Sequence, residues 1–142
     1  MRIFKMYDVQ MQQSDDDLVR HGVKQLQTPQ EVTTVLDNPA GTVLVFVDSD
    51  CGCAGGIARP ALRHALNHQS KPDVVVSVFA SADREATAQA RKYFTNQPPS
   101  SPSFALIRNG KLVEMIHRLD IRSSTPEDVA TLLTSLFDKH CS

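Results

Sequence analysis

Thr42-Val43-Leu44-Val45-Phe46-Val47, followed across Asp48-Ser49-Asp50 by Cys51-Gly52-Cys53 and then by Ala54-Gly55-Gly56-Ile57-Ala58-Arg59-Pro60-Ala61-Leu62-Arg63-His64-Ala65-Leu66, is the stretch that decides the fold. The first six residues form a run of apolar residues, the pattern of a buried strand. The segment after the cysteines reads as a helix. Two cysteines therefore sit where a strand hands over to a helix. A helix amino terminus carries unpaired N–H groups and a partial positive charge, which favour a thiolate over a thiol. The thiolate is the nucleophile in disulfide exchange, so this placement predicts redox chemistry.

Working outward on the amino-terminal side, Ser14-Asp15-Asp16-Asp17 ahead of Leu18 and Val19 predicts a helix within Gln12 to His21, with a thin apolar stripe. Val23 to Leu26 is expected to be a short strand. Thr28-Pro29-Gln30-Glu31 combines a capping threonine, a first-turn proline and a glutamate three residues past the cap. That helix should end near Leu36, before Asn38-Pro39-Ala40-Gly41.

On the carboxyl side, Asp73 to Phe79 predicts a central strand after Pro72, and Ser81 to Phe94 a helix with Ala82, Ala86 and Ala90 for close packing. Asn96 to Pro102 is a loop. Ser103–Ile107 and Lys111–Ile116 flank Asn109-Gly110, a strong hairpin signal. Thr125-Pro126 opens a closing helix with Val129, Leu132, Leu133, Leu136 and Phe137 on its apolar side. Parallel crossovers followed by an antiparallel hairpin and a last helix predict an α/β fold, a central mixed sheet with helices on both faces, of the thioredoxin-like kind.

The bulk numbers agree with one domain over residues 1–142, with 1–22 as a partly helical amino-terminal extension. A net charge of −1 argues against nucleic acid as a partner. No apolar run approaches the roughly 20 residues needed to cross a bilayer, and no signal-peptide stretch opens the chain, so a cytoplasmic location without membrane association is expected. Three cysteines are too few, and odd in number, for a disulfide-stapled secreted domain.

The stretch Cys51-Gly52-Cys53-Ala54-Gly55-Gly56-Ile57-Ala58-Arg59-Pro60 closely resembles the signature of the bacilliredoxins, thioredoxin-like proteins of bacteria that make bacillithiol. Ser100-Ser101-Pro102-Ser103 and the terminal Phe137-Asp138-Lys139-His140-Cys141 also resemble that family, and the likeness runs from about Thr28 onward. The resemblance implies removal of bacillithiol from S-bacillithiolated client proteins, with bacillithiol as co-substrate and no bound organic cofactor. It also implies that Pro102 is the cis-proline facing the redox pair, and that Ser101 before it offers backbone groups to a partner segment or thiol adduct.

Cys51 is expected to be the attacking thiol. Cys53 is expected to resolve the adduct or to modulate Cys51. Gly52 tolerates the dihedrals that a disulfide spanning one residue requires, and so small a ring should be easily reduced. Asp48 and Asp50 oppose thiolate formation by their charge unless they point into water or cap the helix. Arg59 offsets that charge, binds a substrate carboxylate, or is a solvated helix residue. Pro60 should kink its helix.

Cys141 reads as an auxiliary thiol or a buried filler, with the second favoured. His64 and His68 share a helix face at metal-ligand spacing on this reading, whereas His117 and His140 carry no signal. The alternatives to a bacilliredoxin are a general protein disulfide isomerase or reductase, an adaptor with inert cysteines, and a Cys-Gly-Cys metal-binding protein. The last would need His64, Cys141 or a second subunit to complete its ligand set.

Overall fold

The computed structural model describes residues 18–37, 41–49 and 52–141, without the side chains of residues 52–55. Strands β1 (Val23–Gln25), β2 (Thr42–Asp48), β3 (Val74–Phe79), β4 (Ser103–Arg108) and β5 (Lys111–Ile116) form a five-stranded sheet in the order β1-β3-β2-β4-β5. β3 runs parallel to β1 and β2, whereas β4 is antiparallel to both β2 and β5. The helices are α1 (Pro29–Leu36), α2 (Gly52–Ala65), α3 (Arg84–Arg91), α4 (Arg118–Arg122) and α5 (Pro126–His140).

The central strand decides the layering. All seven residues of β2 are buried, so side chains of alternating parity meet different helices. Leu44 and Phe46 belong to a core with Ala58, Ala61, Leu62 and Ala65 of α2, Ile121 of α4, and Val129, Leu133, Leu136 and Phe137 of α5. On the other face, Val43, Val45 and Val47 pack with Val32 and Leu36 of α1 and Ala86 and Ala90 of α3. Phe46 and Phe104, paired across β2 and β4, stack with ring centroids 4.8 Å apart. The predicted mixed sheet with helices on both faces is the observed architecture.

Local chemistry explains the boundaries. Thr28 Oγ1 accepts from the Glu31 backbone N–H at 3.2 Å, and Glu31 Oε1 accepts from the Gln27 N–H at 3.3 Å. Thr125 caps α5 in the same way through the Asp128 N–H at 3.1 Å. Asn109 and Gly110 take φ values of 54° and 77°, the left-handed pair of a tight hairpin turn.

Several boundaries differ from expectation. The helix predicted from Ser81 begins only at Arg84, and Ala82 is exposed in the preceding turn. Leu132 points outward at 43% exposure, and Ala130 takes an inward place on α5. α4 was absent from the sequence pattern because five residues are too few to establish a periodicity. α2 stops at Ala65, so His64 and His68 do not share one helix. At the amino end, Leu18–Arg20 is helical, while the predicted Gln12–Asp17 portion lies outside the described residues, as do Asn38, Pro39 and Ala40.

Gly41 fixes the entry to β2. Its φ is +81°, and a Cβ there would stand 2.0 Å from Asp73 Oδ2. That carboxylate accepts from the Thr42 N–H at 2.9 Å, and Thr42 Oγ1 accepts from the Asp73 N–H at 3.2 Å. Gly41→Ala is therefore expected to destabilise the protein by at least about 2 kcal/mol, from left-handed backbone strain and displacement of Asp73. A denaturant titration checks this, with Gly22→Ala as control, since nothing lies within 4 Å of a Cβ there although φ is also positive (+91°).

Candidate active site

β2 ends at Asp48 and α2 begins at Gly52, so the Cys51-Gly52-Cys53 motif spans the end of the connection and the first turn of the helix. Asp50 and Cys51 lie outside the described residues; the backbones of Gly52 and Cys53 belong to α2. The 14-residue α2 directs its amino terminus at this connection, the electrostatic setting the sequence predicted.

The floor of the connection is an ion pair. Asp48 has the same strand parity as Leu44 and Phe46, so its side chain turns under α2, where it is 2% exposed. Arg59 occupies the apolar side of α2 with Leu62 and is 8% exposed. Its Nη2 lies 3.0 Å from Asp48 Oδ1, and its Nε donates to Oδ2 at 3.2 Å. The same Nη2 donates to the Ser49 carbonyl, and the Ser49 N–H donates to Asp48 Oδ1 at 2.7 Å.

Of the options open for Arg59, charge compensation is the one realised: its fork embraces Asp48, and a solvated position is excluded by burial. A substrate carboxylate would have to displace Asp48 to use the same fork. Of the alternatives left open for Asp48, pointing into water is the one the structure removes, because strand parity turns its side chain inward. The outward signal of a charged residue was overridden by its partner eleven residues on. That spacing, together with the place of Arg59 one turn before Leu62, was the readable clue.

Ser101–Pro102 forms a cis peptide, as the resemblance implies. β4 pairs Ser103 with Val47, so Ser101 and Pro102 fall beside the carboxyl end of β2, next to the cysteine connection. Pro102 is buried and Ser101 half-buried. The sequence brought forward Cys51, Gly52, Cys53, Arg59, Ser101 and Pro102; of these, the fold gathers the chain positions of Gly52, Cys53, Arg59, Ser101 and Pro102 at one end of the sheet, and Cys51 lies outside the described residues.

Cys141 lies at the other end. It follows α5, and its thiol hydrogen-bonds to the side chain of Thr42, the first residue of β2. Burial pushes its thiol pKa up, the Thr42 hydrogen bond and Arg108 partly counter the rise, and Asp73 adds to it. The length of β2, roughly 20 Å, separates it from the start of the cysteine connection. Cys141 is half-buried and packs against the core, consistent with a filler and with a poor nucleophile at neutral pH.

The histidines add no ligand set. His64 is about 18 Å along α2 from Gly52, and His68 Nε2 is 2.8 Å from Asp138 Oδ1. Among the described residues no group of three or more His, Cys, Asp or Glu is placed to hold a metal. Also among the described residues, no helix is long and apolar enough to cross a membrane.

The fold and the placement of the cysteine pair define a thioredoxin-fold thiol–disulfide oxidoreductase. Solved thioredoxins superpose on the chain: that of Malassezia sympodialis with a TM-score of 0.60 over 84% of this chain and 91% of its own, at 15% identity. Fasciola hepatica thioredoxin gives 0.58 over 83% and 99%, at 20% identity. The family model described as Disulphide isomerase matches residues 7–141. A bacilliredoxin of Geobacillus kaustophilus is 49% identical over 97% of this chain and 94% of its own. A bacilliredoxin of Staphylococcus haemolyticus is 52% identical over 92% and 90%. The chain belongs to the bacilliredoxin family.

Proposed function

We propose that the protein removes bacillithiol from S-bacillithiolated proteins, with Cys51 as the attacking thiol. The observation that carries this reading is the Cys51-Gly52-Cys53 motif at the amino end of α2 in a chain about half identical to bacilliredoxins. The Cys51 thiolate attacks the bacillithiol sulfur of the client's mixed disulfide. The client–bacillithiol S–S bond breaks, a Cys51–bacillithiol S–S bond forms, and the client sulfur leaves as a thiolate that takes a proton from solvent. Two routes free Cys51 of bacillithiol, the first leaving a Cys51–Cys53 disulfide that two equivalents of a free thiol such as bacillithiol must then reduce. Cys53 attacks Cys51 and releases bacillithiol, leaving an internal disulfide; or free bacillithiol attacks the adduct and leaves as bacillithiol disulfide. Ser101 and Pro102 supply the seat beside the reacting sulfurs, and bacillithiol is a co-substrate rather than a resident group.

Comparing one client protein in bacillithiolated and glutathionylated forms tests the reading. The bacillithiolated form is expected to react at least about tenfold faster, a difference of about 1.4 kcal/mol in transition-state binding. Equal rates would remove bacillithiol specificity. A second reading, general isomerisation of protein disulfides, is favoured by the description of the matching family; faster turnover of a scrambled-disulfide client than of either adduct would establish it instead.

A further inference from the structure

Ser100 immediately precedes the cis Ser101–Pro102 peptide and is held from several directions. Its Oγ lies 2.9 Å from Nδ1 of His117, the residue that follows β5. Its carbonyl accepts from Ser103 Oγ of β4 at 2.9 Å and from Arg91 Nη2 at the end of α3 at 3.4 Å. His117 is itself anchored: its Nε2 is 2.8 Å from Gln97 Oε1, and its backbone N–H donates to Asp120 Oδ2 at 3.1 Å. With the Gln97 amide oxygen facing Nε2, the tautomer that satisfies both contacts carries its proton on Nε2 and accepts from the Ser100 hydroxyl at Nδ1. One half-buried imidazole thus spans the loop, touching Gln97 at its start and Ser100 at the edge of the cis peptide.

We propose that His117 is a positioning residue for the client: by fixing Ser100 it sets where Ser101 and Pro102 present themselves to an extended segment reacting at Cys51. The proposal rests on the reading of Ser101-Pro102 as the client seat. An extended partner binds through main-chain groups of fixed direction, so a seat held in place binds it with less ordering cost. A small disulfide or an alkylating agent that reaches the cysteine without lying along the loop has no such requirement.

The test compares three reactions of the full chain: alkylation of Cys51 by iodoacetamide, exchange with 2-hydroxyethyl disulfide, and exchange with a protein mixed disulfide. In His117→Phe the protein client is expected to lose about fivefold to tenfold in kcat/KM, the scale of one hydrogen bond, with the loss in KM. The two small-molecule reactions should stay within twofold. Ser100→Ala should reproduce the loss, and the double variant should add nothing to it. His117→Asn, whose amide reaches the position of Nδ1, should recover most of the client rate.

Parallel losses with client and small disulfide, additive losses in the double variant, or no client effect in either single variant would overturn the proposal. Should His117→Phe fail to fold, Ser100→Ala against the wild type decides the matter. A wild-type protein inert to both disulfides would refute the exchange reading itself, an outcome distinct from a lost difference between client and small molecule.

Discussion

Cys51→Ala is expected to form no mixed disulfide and to lose at least about a thousandfold in thiol exchange, whereas Cys53→Ala should still trap the adduct. The asymmetry follows from position. In the sequence Cys51 directly precedes Gly52, the first residue of α2, whereas Cys53 already belongs to the first turn of that helix. Intact mass after mixing each variant with bacillithiol disulfide checks the expectation. An adduct of one bacillithiol on Cys53→Ala and none on Cys51→Ala is the predicted pair of spectra. An adduct that survives loss of Cys51 would move the nucleophile to Cys53, and an unmodified wild type would leave the motif without redox reactivity. Cys141 does not complicate the reading, because its raised pKa and its contact with Thr42 set it apart in both reactivity and place.

Arg59→Met is expected to cost about 3–5 kcal/mol of stability, the penalty for stranding a buried carboxylate without its counter-charge. Asp48 is 2% exposed and its partner is the guanidinium that reaches both its oxygens. Against a total stability of about 5–15 kcal/mol this is a large fraction, and thermal unfolding should fall by about 10–15 °C. Asp48→Leu combined with Arg59→Met should recover much of the loss, because removing both charges removes the desolvation cost as well. A double variant no more stable than Arg59→Met would show that the guanidinium's bond to the Ser49 carbonyl, rather than its charge on Asp48, is what the fold needs.

The sequence made the sheet legible because each of its signals was local. The apolar run from Thr42, the left-handed Asn109-Gly110 turn and the capping threonines at Thr28 and Thr125 each describe their own few residues. The interior of the site was less legible because it depends on pairs distant in the chain. Nothing in Asp48 alone says that it is buried; only its parity with Leu44 and Phe46, joined to the place of Arg59 on the apolar side of α2, says so. His117 was passed over for the same reason. Its partners Gln97 and Ser100 lie across a hairpin, and the short α4 that follows gives no periodic pattern to announce the turn. Leu132 erred in the other direction: helical spacing marked it as core, but it is 43% exposed, whereas Ala130 is buried.

The hairpin irregularity has a bearing on what the protein refuses. Leu106 pairs with Glu114 and Ile107 with Leu112, so Val113 is the extra residue of a bulge in β5, the outermost strand on that side. Lys111 and Glu114 are exposed along the same strand. A bulged, charged border is a poor template for another chain's backbone. β5 is one border of the sheet and β1, three residues long, is the other. Closing the β5 border to strand addition keeps copies of the protein from zipping together edge to edge along β5.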